Sequence, residues 1–413
     1  MKAFNKVFQI YGPGILFAST AIGVSHLVQA TRAGSEYGLT LLWAIILANL
    51  FKYPFFEYGS RYAAATNESI LDGYLKIGKW SLVLYFIVTL CTMLTVTAAV
   101  SIVCAGLLNN ILTIDISIPN ATLILFGTCF LILFKKKYNL LDNLIKILAL
   151  VMVITTMLSF VLVLINGPTY EKNLFPKFNW DNVSIPFLIA LMGWMPTAVD
   201  LSAWNSLWTL EKIKSSRKKP DFKQIINEFN IGYILSACLA IFFLFLGAYL
   251  MFGSTEGFSN NSTLFSTQLI GLYTLTIGSW SKIIISISAF AIMFGTTIAV
   301  LDGYARTVSK STQLIFKIKS STKIGYQAWL IFLLIGAWLV VSSFSSSFKN
   351  LIDLATIISF IVGPIVAILN IILMSPKYVK SKYLPPIWLK ALSYLGFLFL
   401  SAFTLFYLYF ELF

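Results

Sequence analysis

Charge is scarce in this chain: Asp, Glu, Lys and Arg make up 11% of its 413 residues, where a soluble domain carries about 25%. So few charges cannot coat a water-facing globule of this size. Histidine occurs once, at His26, and cysteine four times. Cys91, Cys104, Cys129 and Cys238 all fall inside apolar runs, at spacings that match neither a disulfide framework nor a metal knot. No glycine-rich phosphate loop of the Walker type occurs, which argues against ATP-driven transport by this chain alone. No nucleophile–base constellation stands out, so an enzyme is not expected, and nothing calls for a cofactor. A cleavable leader is not expected either, because the polar start, Met1 to Lys6, leads into a segment too long and too interrupted for one.

What the chain has in excess is apolar length. Hydrophobic residues make up 58% of it, and its mean hydropathy is +0.84. Leu82–Leu108, Ile147–Ile165 and Ile231–Phe252 reach or exceed the roughly 20 residues that cross a bilayer. Closed barrels need alternating strands of about 10 residues and are excluded. The sequence therefore predicts an all-α polytopic membrane protein. About eleven spans are expected, near residues 13–33, 39–63, 80–108, 119–134, 145–166, 185–210, 230–252, 280–305, 327–344, 350–374 and 391–410. The apolar but short segment Leu264 to Ile277 is expected to be part of an outer loop.

The net charge of +14 reports topology and not nucleic acid, because the basic residues sit in the gaps between apolar runs. Lys2 and Lys6, Arg61 to Lys79, Lys135 to Lys146, Lys212 to Lys223, Arg306 to Lys323 and Lys377 to Lys390 alternate onto one side and hold 24 of the 30 basic residues. Arg32, Lys172, Lys177, Lys282 and Lys349 fall on the other, and Lys52 stays inside a span. This bias places the amino terminus in the cytoplasm, in a cell (inner) membrane, and an odd number of spans places Phe413 outside. The run Lys212 to Lys219 suits a loop drawn to anionic lipid headgroups, so membrane lipids are the expected partners. The oligomeric state is not legible.

Two spans are poor helices. The first carries Gly12-Pro13-Gly14 at its entry and Ile22-Gly23-Val24-Ser25-His26 near its middle; the sixth carries Gly193-Trp194-Met195-Pro196-Thr197 at its middle. Glycine weakens a helix, and Pro196 removes a backbone donor. Unwound backbone in lipid persists where it lines an enclosed cavity. Breaks at corresponding positions of two five-span halves are the pattern of an inverted-repeat transporter with a midplane site. The expected division is 1–166 for the first repeat, 167–184 for an outer loop, 185–374 for the second repeat, and 375–413 for a linker and an eleventh helix.

Gly12-Pro13-Gly14, the stretch from Ala33 to Leu50, and Met195-Pro196 together resemble the NRAMP (natural resistance-associated macrophage protein) family of divalent-metal transporters. The resemblance implies a LeuT-type five-plus-five inverted repeat with discontinuous first and sixth helices and an added eleventh. It also shows where the chain departs. The family's Asp-Pro-Gly-Asn in span one reads Gly23-Val24-Ser25-His26 here, and its Met-Pro-His in span six reads Met195-Pro196-Thr197. The family's acidic residues of span three and its paired arginines of span nine are absent from Trp80–Asn110 and Ala328–Phe344.

The candidate substrate-binding residues are Gly23, Ser25, His26, Met192, Met195, Thr197 and Asp200, with His26, Met195 and Asp200 as candidate metal ligands. Each has a plainer reading. His26 is either a hydrogen-bonded packing residue or a soft-metal ligand and titrating group. Met192 and Met195 are core packing or site. Asp200, costly at the bilayer centre, is either half of an ion pair with His26 or Arg32, or the carboxylate that replaces the missing one of span one. Glu57 with Arg61, and Asp302 with Arg306, are spaced to pair with each other, and Asp353 reads as interfacial. The expected function is secondary transport of a divalent metal cation by alternating access at an altered site. The alternatives are a non-metal solute, a small anion or organic molecule, on the same fold, or a non-transporting membrane sensor.

Overall fold

A computed structural model describes residues 23–412 except 113–115, 136–138, 216–219, 256 and 319–321. The Gly12-Pro13-Gly14 entry, Ile22, Arg217 and the lysines at 2, 6, 136, 137, 218, 219 and 319 lie outside the described residues.

Every regular element among the described residues is a helix. A π-helical turn, Ser25–Ala30, runs into α1 (Thr31–Tyr37), followed by α2 (Leu42–Thr66), the short α3 (Ile70–Ile77), α4 (Lys79–Leu112), α5 (Ile118–Lys135) and α6 (Asn139–Asn166). Span six is split into α7 (Ser184–Gly193) and α8 (Ser202–Ser215), with a 3₁₀ turn, Val199–Leu201, between them. Then come α9 (Phe222–Leu250), α10 (Ser262–Ile277), α11 (Ser281–Phe316), α12 (Thr322–Ser343), α13 (Phe348–Ile361), α14 (Gly363–Leu373) and α15 (Ile387–Leu412). Six helices among the described residues, and α13 with α14 taken together, are long and apolar enough to cross a membrane. Local chemistry sets several ends: Ser69 with Asp72 and Asp221 with Gln224 form reciprocal capping boxes at α3 and α9.

Burial sorts the spans into a centre and a rim. The most apolar stretches of α4 and α11 are 67% buried, whereas those of α12 and α15 are 22% and 28% buried. The outer faces of the rim helices expose Ile331, Ile335, Leu398 and Leu405, as a lipid-facing surface requires. At the centre, backbones come together through glycine. A Cβ on Gly34 would strike the carbonyl of Leu244, and one on Gly247 the carbonyl of Thr31, so α1 and α9 cross without side chains between them. A Cβ on Gly193 would strike the carbonyl of Thr356, which seats the end of α7 on α13.

Two differences from the sequence reading stand out. The segment expected to be outer loop is helical: α10 buries Phe265, Leu269, Ile270, Leu272 and Tyr273 against the core, and Asn261 caps it by accepting from Thr263 N and Leu264 N. Span ten is also interrupted, at Val362 between α13 and α14, where Pro364 sits in the first turn of α14.

Candidate functional site

The site is built where the breaks of spans one and six meet. In span one the chain leaves Gly23 through the π turn, with His26 N and Leu27 N both donating to the Gly23 carbonyl at 3.1 and 3.0 Å. All six residues of that turn are buried. Ser25 Oγ donates to the Pro196 carbonyl at 3.2 Å, which joins the two breaks directly.

His26 is 0% exposed. Its Nδ1 lies 2.8 Å from Ser25 Oγ, and its Nε2 lies 2.9 Å from the Ser236 carbonyl on α9. A carbonyl only accepts, so Nε2 carries a hydrogen, and the single Ser25 hydroxyl hydrogen serves either the Pro196 carbonyl or Nδ1 but not both at once. Both ring nitrogens thus face partners within the protein.

Span six stops being helical at Gly193 because Pro196 and the glycine remove the ladder. The Gly193 carbonyl then has no backbone donor, and the Met192 carbonyl keeps a long 3.4 Å bond from Met195 N. Lys52 of α2, 0% exposed, supplies a donor: Nζ donates to Met192 O at 2.5 Å, Gly193 O at 2.7 Å and Thr197 O at 3.4 Å. The negative end of the α7 dipole favours a cation there, and the Phe360 ring lies 5.9 Å from Nζ.

Asp200 opens the second half of the span and is 1% exposed. Thr92 Oγ1 on α4 donates to its Oδ2 at 3.0 Å, and Tyr85 donates to its backbone carbonyl at 2.9 Å. Its other carboxylate oxygen, Oδ1, is buried with no hydrogen-bond partner. Lys52 is near enough for its charge to act on Asp200 through space, yet the two form no ion pair within 4 Å. Arg32, the partner weighed for Asp200 in the sequence, pairs elsewhere. Its guanidinium donates to Asp353 Oδ1 and Oδ2 at 2.8 and 3.2 Å, and Gln29 Nε2 donates to the same carboxylate at 2.9 Å. Asp353, read from the sequence as interfacial, is therefore the tie between span one and span ten. The two expected pairs do form, Arg61 with Glu57 at 2.6 Å and Arg306 with Asp302 at 2.6 Å.

A cavity of about 20 Å³ lies between the breaks, lined by Gly23, Ser25, Trp194 and Thr197, and by Val96 of α4 and Thr296 of α11 among others. Of the candidate residues, Gly23, Ser25 and Thr197 face this cavity. Met192, Met195, His26 and Asp200 are buried around it and are not among its lining. Among the described residues no three His, Cys, Asp or Glu side chains cluster as a metal set. The residue that the sequence reading left without a role is Lys52. Its signal was there: an ammonium in a 25-residue helix with no acidic residue three or four positions away to pair with it.

The family model described as natural resistance-associated macrophage protein-like matches residues 14–410. An uncharacterized protein of Pasteurella multocida is 37% identical over 415 residues, covering 98% of this chain and 93% of that protein. Among solved structures, a manganese transporter of Eremococcus coleocola superposes with a TM-score of 0.72 at 13% identity, over 98% of this chain and 86% of its own. A nucleobase-cation-symport-1 family transporter superposes with a TM-score of 0.59 at 11% identity, over 89% and 78%. At such identities the likeness is one of fold, the LeuT-type arrangement of broken first and sixth helices.

Proposed function

From the premise that this chain belongs to the natural resistance-associated macrophage protein-like family, we propose that it is a secondary transporter carrying a divalent metal cation by alternating access, through a site altered from the family pattern. Asp200 carries the reading. A buried carboxylate oxygen without a donor costs several kcal/mol, and an arriving cation supplies what it lacks. The same carboxylate stands in the first turn after the break, where it neutralises the positive helix end that an anion would need. The cavity of about 20 Å³, lined by Gly23, Ser25 and Thr197, holds roughly one water-sized body, and Asp200, Met195 and His26, which are not part of that lining, ligate an ion there only by turning toward it.

Met195 adds a thioether that favours softer transition metals over magnesium or calcium. His26 joins the ligand set when Nδ1 gives up the Ser25 hydroxyl, and Gly23, Ser25, Met192 and Thr197 shape the rest of the seat. The amino terminus is cytoplasmic and the carboxyl terminus outside.

Uptake of manganese and cadmium into proteoliposomes is the test. The parent protein should load either ion and Asp200→Asn should not. Accumulation of a small anion or neutral solute with no metal entry would overturn the cation reading, and uptake of any solute removes the sensor alternative.

A further inference from the structure

We propose that the carbonyl cluster at the break of span six is a monovalent-cation site that this chain fills with its own side chain, the Lys52 ammonium standing where a free alkali or ammonium ion would sit. Three backbone oxygens, from Met192, Gly193 and Thr197, converge on Nζ at 2.5, 2.7 and 3.4 Å. An ammonium has three hydrogens to donate, so the set is matched in number. No carboxylate within 4 Å holds Lys52 in place; the carbonyls do, with Asp200 acting at longer range. Converging carbonyls at the carboxyl end of a half-helix, with an anion nearby, are what membrane proteins use to replace the hydration shell of a small cation.

The charge belongs to the site and not to the packing of α2. Lys52 is fully buried, and a charged residue inside a span is costly even on insertion scales. A methionine or leucine of similar size would avoid that cost if filling space were the task. It would, however, leave the Gly193 carbonyl unpaired and the Met192 carbonyl with a long 3.4 Å bond from Met195 N. The consequence is twofold. The break needs no alkali ion from solution to be complete, and the Met192 and Gly193 carbonyls are denied to any cargo while the ammonium stays.

The experiment compares purified parent protein, Lys52→Ala and Lys52→Met by thermal unfolding in potassium, rubidium, methylammonium and N-methylglucamine chlorides at equal ionic strength. Lys52→Ala opens the space for a small cation, whereas Lys52→Met fills it with an apolar chain. The parent should melt at one temperature in all four salts. Lys52→Ala should melt lower in N-methylglucamine and gain about 2 °C or more in the other three, and Lys52→Met should not respond. Equal melting of Lys52→Ala in every salt overturns the proposal, as does a parallel rise in the parent or in Lys52→Met. If Lys52→Ala is not recovered folded, recovery of Lys52→Ser only in the small-cation salts supports the proposal, and failure in all four overturns it. No cargo is present, so this outcome and the outcome of metal uptake are independent.

Discussion

The two breaks that make the site are unlike each other. At span one the polar groups are answered: Ser25 reaches Pro196, and the two nitrogens of His26 reach Ser25 and Ser236. At span six a lysine from another helix answers the Met192, Gly193 and Thr197 carbonyls, and Oδ1 of Asp200 is buried without a hydrogen-bond partner. Buried hydrogen-bonded networks rigidify, whereas uncompensated charge waits for a partner. The first break is thus a fixed joint, and the second is where the proposed cation would change the electrostatics.

The largest effect that sharpens this contrast is expected at Asp200. Asp200→Asn should cut metal uptake by roughly 100-fold, about 3 kcal/mol, while leaving the melting temperature unchanged or raised, since a buried charge is removed. A loss of fold with no separate loss of transport would make Asp200 structural and erase the contrast.

Next comes the seat of α7. Gly193→Val drives a side chain into the Thr356 carbonyl and should destabilise by about 1–3 kcal/mol, read as a lower melting temperature with span six displaced. Normal melting would mean that α7 and α13 separate more easily than their contact suggests.

At the fixed joint the expected effect is smaller. His26→Ala should cost about 1–2 kcal/mol of stability for two buried hydrogen bonds and reduce uptake less than Asp200→Asn does. If instead it abolishes metal binding while the protein melts normally, His26 is a first-rank ligand and the two breaks share the cargo.

The smallest effects are null results with content. Lys223→Cys should label from the cytoplasmic side and Lys172→Cys from outside, both positions being exposed, with uptake unchanged; labelling from one face breaks the eleven-span topology. Metal entry should also proceed without acidification of the lumen, because α4 carries no Asp or Glu. Metal-driven acidification that survives both Asp200→Asn and His26→Ala would reveal a proton path through other groups.

Much of this was legible along the chain. Apolar runs gave the spans because lipid forces backbone bonds to close locally, and Gly193 with Pro196 announced the break in span six. The i,i+4 pairs Glu57–Arg61 and Asp302–Arg306 were readable for the same local reason. The role of Lys52 was not, because its partners lie 140 or more residues away and are backbone oxygens, which every residue has. Nor was the Arg32–Asp353 tie, a contact 321 residues apart. The interruption of span ten carried its own mark in Gly363-Pro364, a pair with a local meaning that the periodicity of the surrounding apolar run conceals.

The crossing of Gly34 and Gly247 has a mechanical consequence. With backbone against backbone, α1 and α9 behave as a pair of meshed gears with no slack: they can turn together, but neither can slip by one residue along the other. Any movement of the π turn of span one must therefore carry the middle of α9, at Ser236, along with it. Spin labels placed on α1 and α9 would keep one distance through the cycle, while labels on α7 and α8 would report two.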